Sequence, residues 1–332
     1  MINTRMEQPM TVTARLGNTD LQVSRVGLGC MSYGNPVTGL HNWTLDEAAS
    51  QPFFRQAVEL GVTFWDTANA YQAGSSEEFV GRAIRKYSRR EDITLATKVF
   101  GRMHDGPTGQ GLSRGAILEQ VDASLHRLGT DYIDIYYIHR FDPDVPVEET
   151  METLHDVVQA GKVRYLGASS MFAWQFAKLQ TAAAVGRWTP FVAMEDQYNL
   201  LKREEEREMI PMCLDMGVGL TPYSPLGKGR LTRPWGEQTQ RAETDAVART
   251  FDSPADEPIV DVVYRIAQQR GLPMAQIALA WVLRNPVVAA PIVGATKQKH
   301  LADAVAALDV VLSDDEVAAL EGPYVPQPPY WY

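Results

Sequence analysis

The chain alternates between short apolar runs and longer polar stretches in which apolar residues return every three or four positions. The runs are "RVGLGC" (25–30), "VTFWDTA" (62–68), "DITLATKV" (92–99), "YIDIYYIH" (132–139), "VRYLGAS" (163–169), "FVAMEDQY" (191–198), "GVGLTPYS" (217–224) and "VAAPIVGA" (288–295). Short apolar runs rich in β-branched and aromatic residues predict buried strands. No hairpin turn joins one run to the next. Between them, "SSEEFVGRAIRKY" opens on serines and glutamates, which predicts a helix N-terminus, and sets Phe79, Ile84 and Tyr87 near one face. "LSRGAILEQVDASLHRLG" repeats the pattern with Ile117, Leu118, Val121, Leu125 and Leu128 and stops at Gly129, a C′ glycine. "VEETMETLHDVVQAG", "REEEREMIPMCLDMG" and "KQKHLADAVAALD" complete the predicted helices.

Strand and helix in alternation, with short links, imply parallel strands and right-handed crossovers. Eight such units fit an α/β fold closed as a (β/α)₈ TIM barrel, with an open doubly wound sheet as the competitor. Two segments depart from the repeat. "VTARLGNTDLQVS" reads as an N-terminal hairpin around Gly17 and Asn18, suited to plugging one end of a barrel. After the seventh strand, "LGKGRLTRPWGEQTQRAETDAVARTFDSPADEP" forms a long loop whose Gly, Pro, Arg and Trp suit a lid. No linker divides the chain, so a single domain is expected over 1–332, with a flexible segment 1–10.

Composition narrows the class. Hydrophobic residues make up 45% of the 332 and charged residues 22%, values of a globular chain. A formal net charge of −10 argues against nucleic acid as a partner, although a local basic groove for one phosphate stays compatible with it. The two cysteines, Cys30 and Cys213, lie far apart in apolar settings, which fits a reducing compartment. The opening "MINTRMEQPM" has no signal-peptide core, and no apolar run reaches the ~18 residues of a membrane span. A soluble cytoplasmic protein without a membrane partner is the expectation. The sequence leaves a homo-oligomer open.

In such a barrel, chemistry sits at the C-terminal ends of the strands. Strand two ends on Asp66, with Tyr71 in the loop beyond; strand three offers Lys98 and strand four His139. Taken singly, a buried Asp or Lys is as well read as half of a structural ion pair, and a lone His as a satisfied core residue. Together they make an acid, a phenol, an amine and an imidazole at one rim. A phenol with an ordinary pKa near ~10 is a weak acid. A buried ammonium beside it should pull that value down, and Asp66 can keep the ammonium charged. An imidazole can orient a carbonyl oxygen and share in proton transfer. The set supplies a proton to an oxygen becoming negative, half of a carbonyl reduction.

Over nearly its whole length the chain resembles the aldo-keto reductases. The matching pieces are "GLGCMSYG", "FWDTANAYQAGSSEEFVGRAI", "LATKV", "SLHRLGTDYIDIYYIHRFDP", "EETMETLHDVVQAGKVRYLGASS", "YNLLKREEEREMIPMC", "TPYSPLGKGRL" and "PIVGATKQKHLADA". The resemblance implies a catalytic tetrad of Asp66, Tyr71, Lys98 and His139, with Tyr71 as general acid and hydride from a reduced nicotinamide. It also implies that Gly29 and Met31 line the cofactor and that Asp66 lies near the nicotinamide ribose. Ser169, Ser170 and position 195 would meet the carboxamide, and Tyr223 would stack on the ring. Ser224, Leu226, Lys228 and Gly229 would follow the pyrophosphate. Thr296, Lys297, Lys299 and His300 cluster at a helix start, where cations attract an anion and where the resemblance places the adenosine 2′-phosphate, with Gly294 and Asp303 as further implied cofactor contacts. NADPH is therefore the implied cofactor and a small carbonyl compound the implied substrate. Departures are Glu195 for the usual Gln, with Gln197 nearby, His300 for a usual Gln and Ala304 for a usual Asn.

The substrate pocket is expected to use Tyr33, Tyr71, Phe100, His139 and Arg140, with parts of the long loop. The aromatic tail "YVPQPPYWY" reads either as a disordered end or as a flap. Two rival functions stand beside reductase: a Schiff-base aldolase using Lys98, and a cofactor-binding regulatory subunit with slow turnover. The remaining histidines His41, His104, His126 and His155 show no ligand spacing, so no catalytic metal is expected.

Overall fold

The computed structural model describes residues 12–39, 41–237 and 253–328. The N-terminal segment 1–10, part of the long loop (238–252) and Tyr330–Tyr332 of the tail lie outside the described residues. Ten strands appear among those described. A hairpin of β1 (Thr13–Arg15) and β2 (Gln22–Ser24) precedes the barrel strands β3 (Gly27–Gly29), β4 (Phe64–Asp66), β5 (Thr94–Val99) and β6 (Ile133–Ile138). β7 (Val163–Ser169), β8 (Phe191–Glu195), β9 (Gly219–Leu220) and β10 (Ile292–Gly294) complete them. The eight run parallel in the order β10-β3-β4-β5-β6-β7-β8-β9. The ring closes between β9 and the last strand, where Leu220 N–H donates to Val287, Ala289 N–H to Leu220 and Ile292 N–H to Pro222, each at 2.8 Å. Every expected strand is present, and the barrel replaces the open-sheet alternative. β9 is shorter than the expected 217–224 because Pro222 has no N–H to extend its ladder.

Crossover helices follow the strands in turn: α1 (Glu47–Glu59), α2 (Ser75–Tyr87), α3 (Arg114–Leu128), α4 (Val147–Gln159), α5 (Ala173–Gly186) and α6 (Met209–Met216). α7 (Glu257–Arg270) and α8 (Met274–Leu283) lead to β10, then come α9 (Gln298–Ala306) and α10 (Asp314–Glu321). Gly129 ends α3 at φ +64, as its position suggested. The start of α2 is different. Its cap is Gly74 at φ +92, with no side-chain capping bond. Ser76 instead donates to the Cys30 carbonyl at 2.9 Å and bonds Thr67 Oγ1 at 2.9 Å. The polar residues that looked like a cap tie the helix to the barrel wall.

The hairpin closes the bottom of the barrel. Leu16 and Val23 are buried in one cluster with the inward-facing Phe64, Ala96, Ile135 and Ala193. The tip docks on the turn between α6 and β9 through Asn18 N–H, which donates to the Gly217 carbonyl at 2.8 Å. Gly17 holds φ +55, and a Cβ there would meet the Gly217 oxygen at 2.3 Å. Gly17→Ala is therefore expected to lower unfolding free energy by more than about 1 kcal/mol, read from the urea midpoint at unchanged slope.

Candidate active site

Strand period sets the site. Side chains two apart on a strand share a face. The inner layer of Phe64, Ala96, Ile135 and Ala193 is thus succeeded, one step up, by Asp66, Lys98, Tyr137 and Glu195, and beyond Tyr137 by His139. The upper layer is polar because it reaches the C-terminal mouth. Gly167 makes room within it, since a Cβ there would lie 2.4 Å from the Tyr137 ring. Tyr71 comes from a 3₁₀ turn (Tyr71–Gly74) just after β4.

Lys98 is the hub. Fully buried, it donates to Asp66 Oδ1 at 2.5 Å and to the Thr67 carbonyl at 3.0 Å, and pairs with Glu195 Oε1 at 3.3 Å. Its ammonium lies 5.3 Å from the Tyr71 ring centroid. The Tyr71 and His139 rings meet edge to face at 5.8 Å. The four sequence-distant groups thus share one site, and Glu195 joins them.

Electrostatics follows from two carboxylates and one ammonium in a buried space. Burial alone would depress Lys98, but Asp66 and Glu195 more than offset it and hold the ammonium well above its usual range. Burial, helped by Lys98 and Arg140, pushes His139 well below the usual imidazole value, so the ring is neutral. Burial raises Asp66 against the pull of Lys98. Glu195, buried beside Asp66, is pushed up to about 8. For Tyr71, burial raises the phenol, Asp66 and Glu195 add to it, and Lys98 offsets only part, so the net shift is upward. Lys98 does pull the Tyr71 pKa down, as expected, but the expected net lowering is corrected here, because burial outweighs that pull. The ammonium's two counterions offset part of its field at the phenol.

Backbone strain gathers at the same rim. Of the described non-glycine residues with positive φ, all but Arg187 lie in loops at strand C-termini: Gln72, Ala73, Phe100 (φ 145), Ser170 (φ 50), Ser224 (φ 51) and Lys228 (φ 54). Such conformations persist where surrounding contacts enforce them. Gln72 is an example: its amide nitrogen reaches the carbonyls of Asn35 (3.1 Å), Thr38 (2.6 Å) and His41 (2.9 Å), fixing the loop after β3 beside Tyr71.

The other expected residues are distributed as follows. Gly29 ends β3 and Met31 lies half-buried in the next turn. Ser169 Oγ donates to the Glu195 carbonyl at 2.8 Å, and Ser170 Oγ to the Tyr223 hydroxyl at 3.3 Å. These three positions and Tyr223 form one wall. The Ser224 carbonyl accepts from Asn199 at 2.9 Å. Leu226, Lys228 and Gly229 belong to the turn after β9. Gly294 ends β10, Thr296 N–H donates to His300 Nδ1 at 3.3 Å, and exposed Lys297 caps the start of α9. Asp303 accepts from Gln276 at 3.3 Å. Phe100 and Arg140 stand at the rim, half-buried.

Tyr33 is a correction. It does not line the mouth: its ring is fully buried between Phe53 and Phe54 of α1, and its hydroxyl donates to the Ala295 carbonyl at 2.9 Å. The short 3₁₀ turn after β3 and the Tyr33–Leu45 bridge rotate it outward into the helix layer.

Several site residues went unnoticed in the sequence. Asp196 is buried, accepts from Ser170 N–H at 2.8 Å and is raised well above the usual carboxylate range by burial. The signal that found Asp66, an acid closing an apolar run, applies equally to it. A second group has no local signal. Lys202, Arg230 and Asp256 line a small pocket with Gln197, Asn199 and the expected Lys228. Gln327 from the C-terminal segment reaches it, accepting from Lys202 and donating to Asp256.

The aldo/keto reductase family model matches residues 25–324. Versiconal hemiacetal acetate reductase of Aspergillus parasiticus is 45% identical over 337 residues, covering 95% of this chain and 97% of that one. Aldo-keto reductase AMT2 of Alternaria alternata is 43% identical, covering 95% and 92%. Aldo-keto reductase dtxS3 of Metarhizium robertsii is 42% identical, covering 94% and 90%. The chain belongs to the aldo/keto reductase family, a family of oxidoreductases.

Proposed function

We propose that the chain reduces aldehydes or ketones to alcohols with NADPH, using Tyr71 as the general acid. The observation that carries this reading is the Lys98 hub, which holds Asp66 at 2.5 Å and faces the Tyr71 ring at 5.3 Å. A bound NADPH would supply hydride to the carbonyl carbon. The residues fit such a dinucleotide: Glu195 Oε2 is buried without a hydrogen-bond partner among the described residues, beside Ser169, Ser170 and Tyr223. Lys202, Lys228 and Arg230 provide cationic lining on the same rim.

The protein's own part is proton delivery and positioning. Tyr71 keeps its proton, because burial and the two carboxylates raise its pKa. A neutral His139 can donate a hydrogen bond to the carbonyl oxygen without competing as an acid. Negative charge developing on that oxygen makes proton transfer from Tyr71 favourable, and the Lys98 ammonium stabilises the phenolate left behind. A Schiff-base role suits Lys98 poorly, since the amine is held charged by Asp66 and Glu195. Consumption of NADPH with para-nitrobenzaldehyde tests the reading and separates an enzyme from a regulatory subunit. No turnover despite tight NADPH binding would favour the latter.

Preference for NADPH over NADH is part of the proposal. Exposed Lys297 stands at the start of α9 with exposed Lys299 two residues on, in its first turn. Lys297→Ala is expected to raise the Michaelis constant for NADPH about fivefold to tenfold while leaving that for NADH within twofold, as roughly 1 kcal/mol for one helix-end charge contact implies. Equal effects on both dinucleotides would remove Lys297 from the phosphate site.

A further inference from the structure

The Lys98 cluster holds an excess of acid. Asp66 lies 2.5 Å and Glu195 3.3 Å from one ammonium, and all three side chains are buried. One cation neutralises one carboxylate; the second either keeps a proton or carries an uncompensated charge. Glu195 is the one with an unsatisfied oxygen, Oε2, while Asp66 lies within hydrogen-bonding reach of its carboxyl group. A proton on Glu195, donated to Asp66, satisfies both. Glu195 is also anchored in the wall that carries Ser169, Ser170 and Tyr223: its carbonyl accepts from Ser169 Oγ at 2.8 Å and Ser170 N–H at 3.3 Å.

The reading above puts the nicotinamide against this wall, and the inference rests on that reading. Oxidised and reduced nicotinamide differ by one positive charge on the ring. A neutral acid at position 195 discriminates little between them, whereas a carboxylate attracts the cation. We propose that Glu195 sets how strongly the site discriminates between the redox forms of the cofactor, its acid form being nearly indifferent and its carboxylate form shifting preference to NADP+. The conversion is loss of one proton from Glu195 to solvent, with no electron transfer.

Other groups surround Glu195. Asp66 from β4, Lys98 from β5, Tyr137 from β6, Arg140 just after it, Tyr71, Asp196 and Tyr223 all act on it or feel it. Lys98, Tyr71, Tyr137 and Tyr223 are all raised, and His139 is lowered well below 6.5. Their protonation therefore does not change across the range where Glu195 exchanges its proton, about 8. Asp66, also raised, shares the proton with Glu195 as one pair, and Asp196 is the remaining group that must be controlled.

Dissociation constants for NADPH and NADP+, measured by tryptophan quenching across a pH range bracketing that value, test the proposal. The 2′-phosphate titrates in both dinucleotides and cancels in their ratio. In the wild type the ratio of the NADPH constant to the NADP+ constant should rise with pH by at least about tenfold, the size of one charge interaction at close range in a protein. In Glu195→Gln it should stay flat, and in Asp196→Asn it should rise as in the wild type. A flat wild-type ratio, or an unchanged rise in Glu195→Gln, overturns the proposal. A second readout needs no cofactor: the infrared carbonyl absorption of protonated carboxyl groups at neutral pH should lose one component in Glu195→Gln, and that component should persist in Asp196→Asn. If Glu195→Gln removes no such component, Glu195 is ionised and the proposal fails. Tight binding with a pH-independent ratio defeats this inference alone, whereas binding of neither dinucleotide defeats the functional reading as well.

Discussion

Tyr71→Phe is expected to lower kcat for aldehyde reduction by about 10²–10⁴-fold, the usual contribution of a positioned proton donor. Dissociation constants for NADPH should stay within a few-fold, because the ring and its contact with His139 remain. Stopped-flow single turnovers separate the two quantities. The wild-type pH profile should also show no loss of reduction through Tyr71 ionisation below its ordinary value of 10, since the folded site raises that value. A phenylalanine variant with near-normal turnover would dismiss Tyr71 as the acid and leave His139 as the remaining donor to test.

The second large effect is on stability and activity together. Lys98→Met leaves Asp66 and Glu195 buried with their common cation gone. Breaking a buried ion pair from one side costs roughly 3–5 kcal/mol, and urea unfolding should register a loss of that order. The sign with pH is definite. In the wild type, the raised Lys98 contributes fully below its ordinary 10.5 and loses that contribution as pH climbs through its higher folded value. In the variant, both carboxyls are raised further, so the deficit is smallest near or below their ordinary values of 3.8 and 4.5 and grows as pH rises. Adding Asp66→Asn and Glu195→Gln should recover most of the stability and none of the activity. Stability that stays low in the triple variant would place the damage in packing rather than charge.

Both expectations turn on residues whose positions were legible from the sequence. An acid or amine closing an apolar strand stands out locally, and the two-residue period carries it to the inner face, so Asp66, Lys98 and His139 could be assigned to one mouth. Helix-ending Gly129 was equally local. Tyr33 was misjudged because its direction depends on a bridge to Leu45 and a bed of Phe53 and Phe54, contacts that the adjoining sequence does not encode. The serines that open α2 resemble a cap, but Cys30 and Thr67 of the neighbouring chain segments claim Ser76 instead.

The chain by itself determined the eight parallel strands, their order and the row of polar residues at their ends, because spacing along a strand is covalent geometry. Only the tertiary structure decided the balance of charge. Glu195 reaches Lys98 across the barrel from β8, and the field at Tyr71 is a sum over groups from three strands. Such a sum depends on distance and burial, which are properties of the closed ring. That is why the sequence placed a proton donor correctly and still mistook the direction in which its surroundings push it.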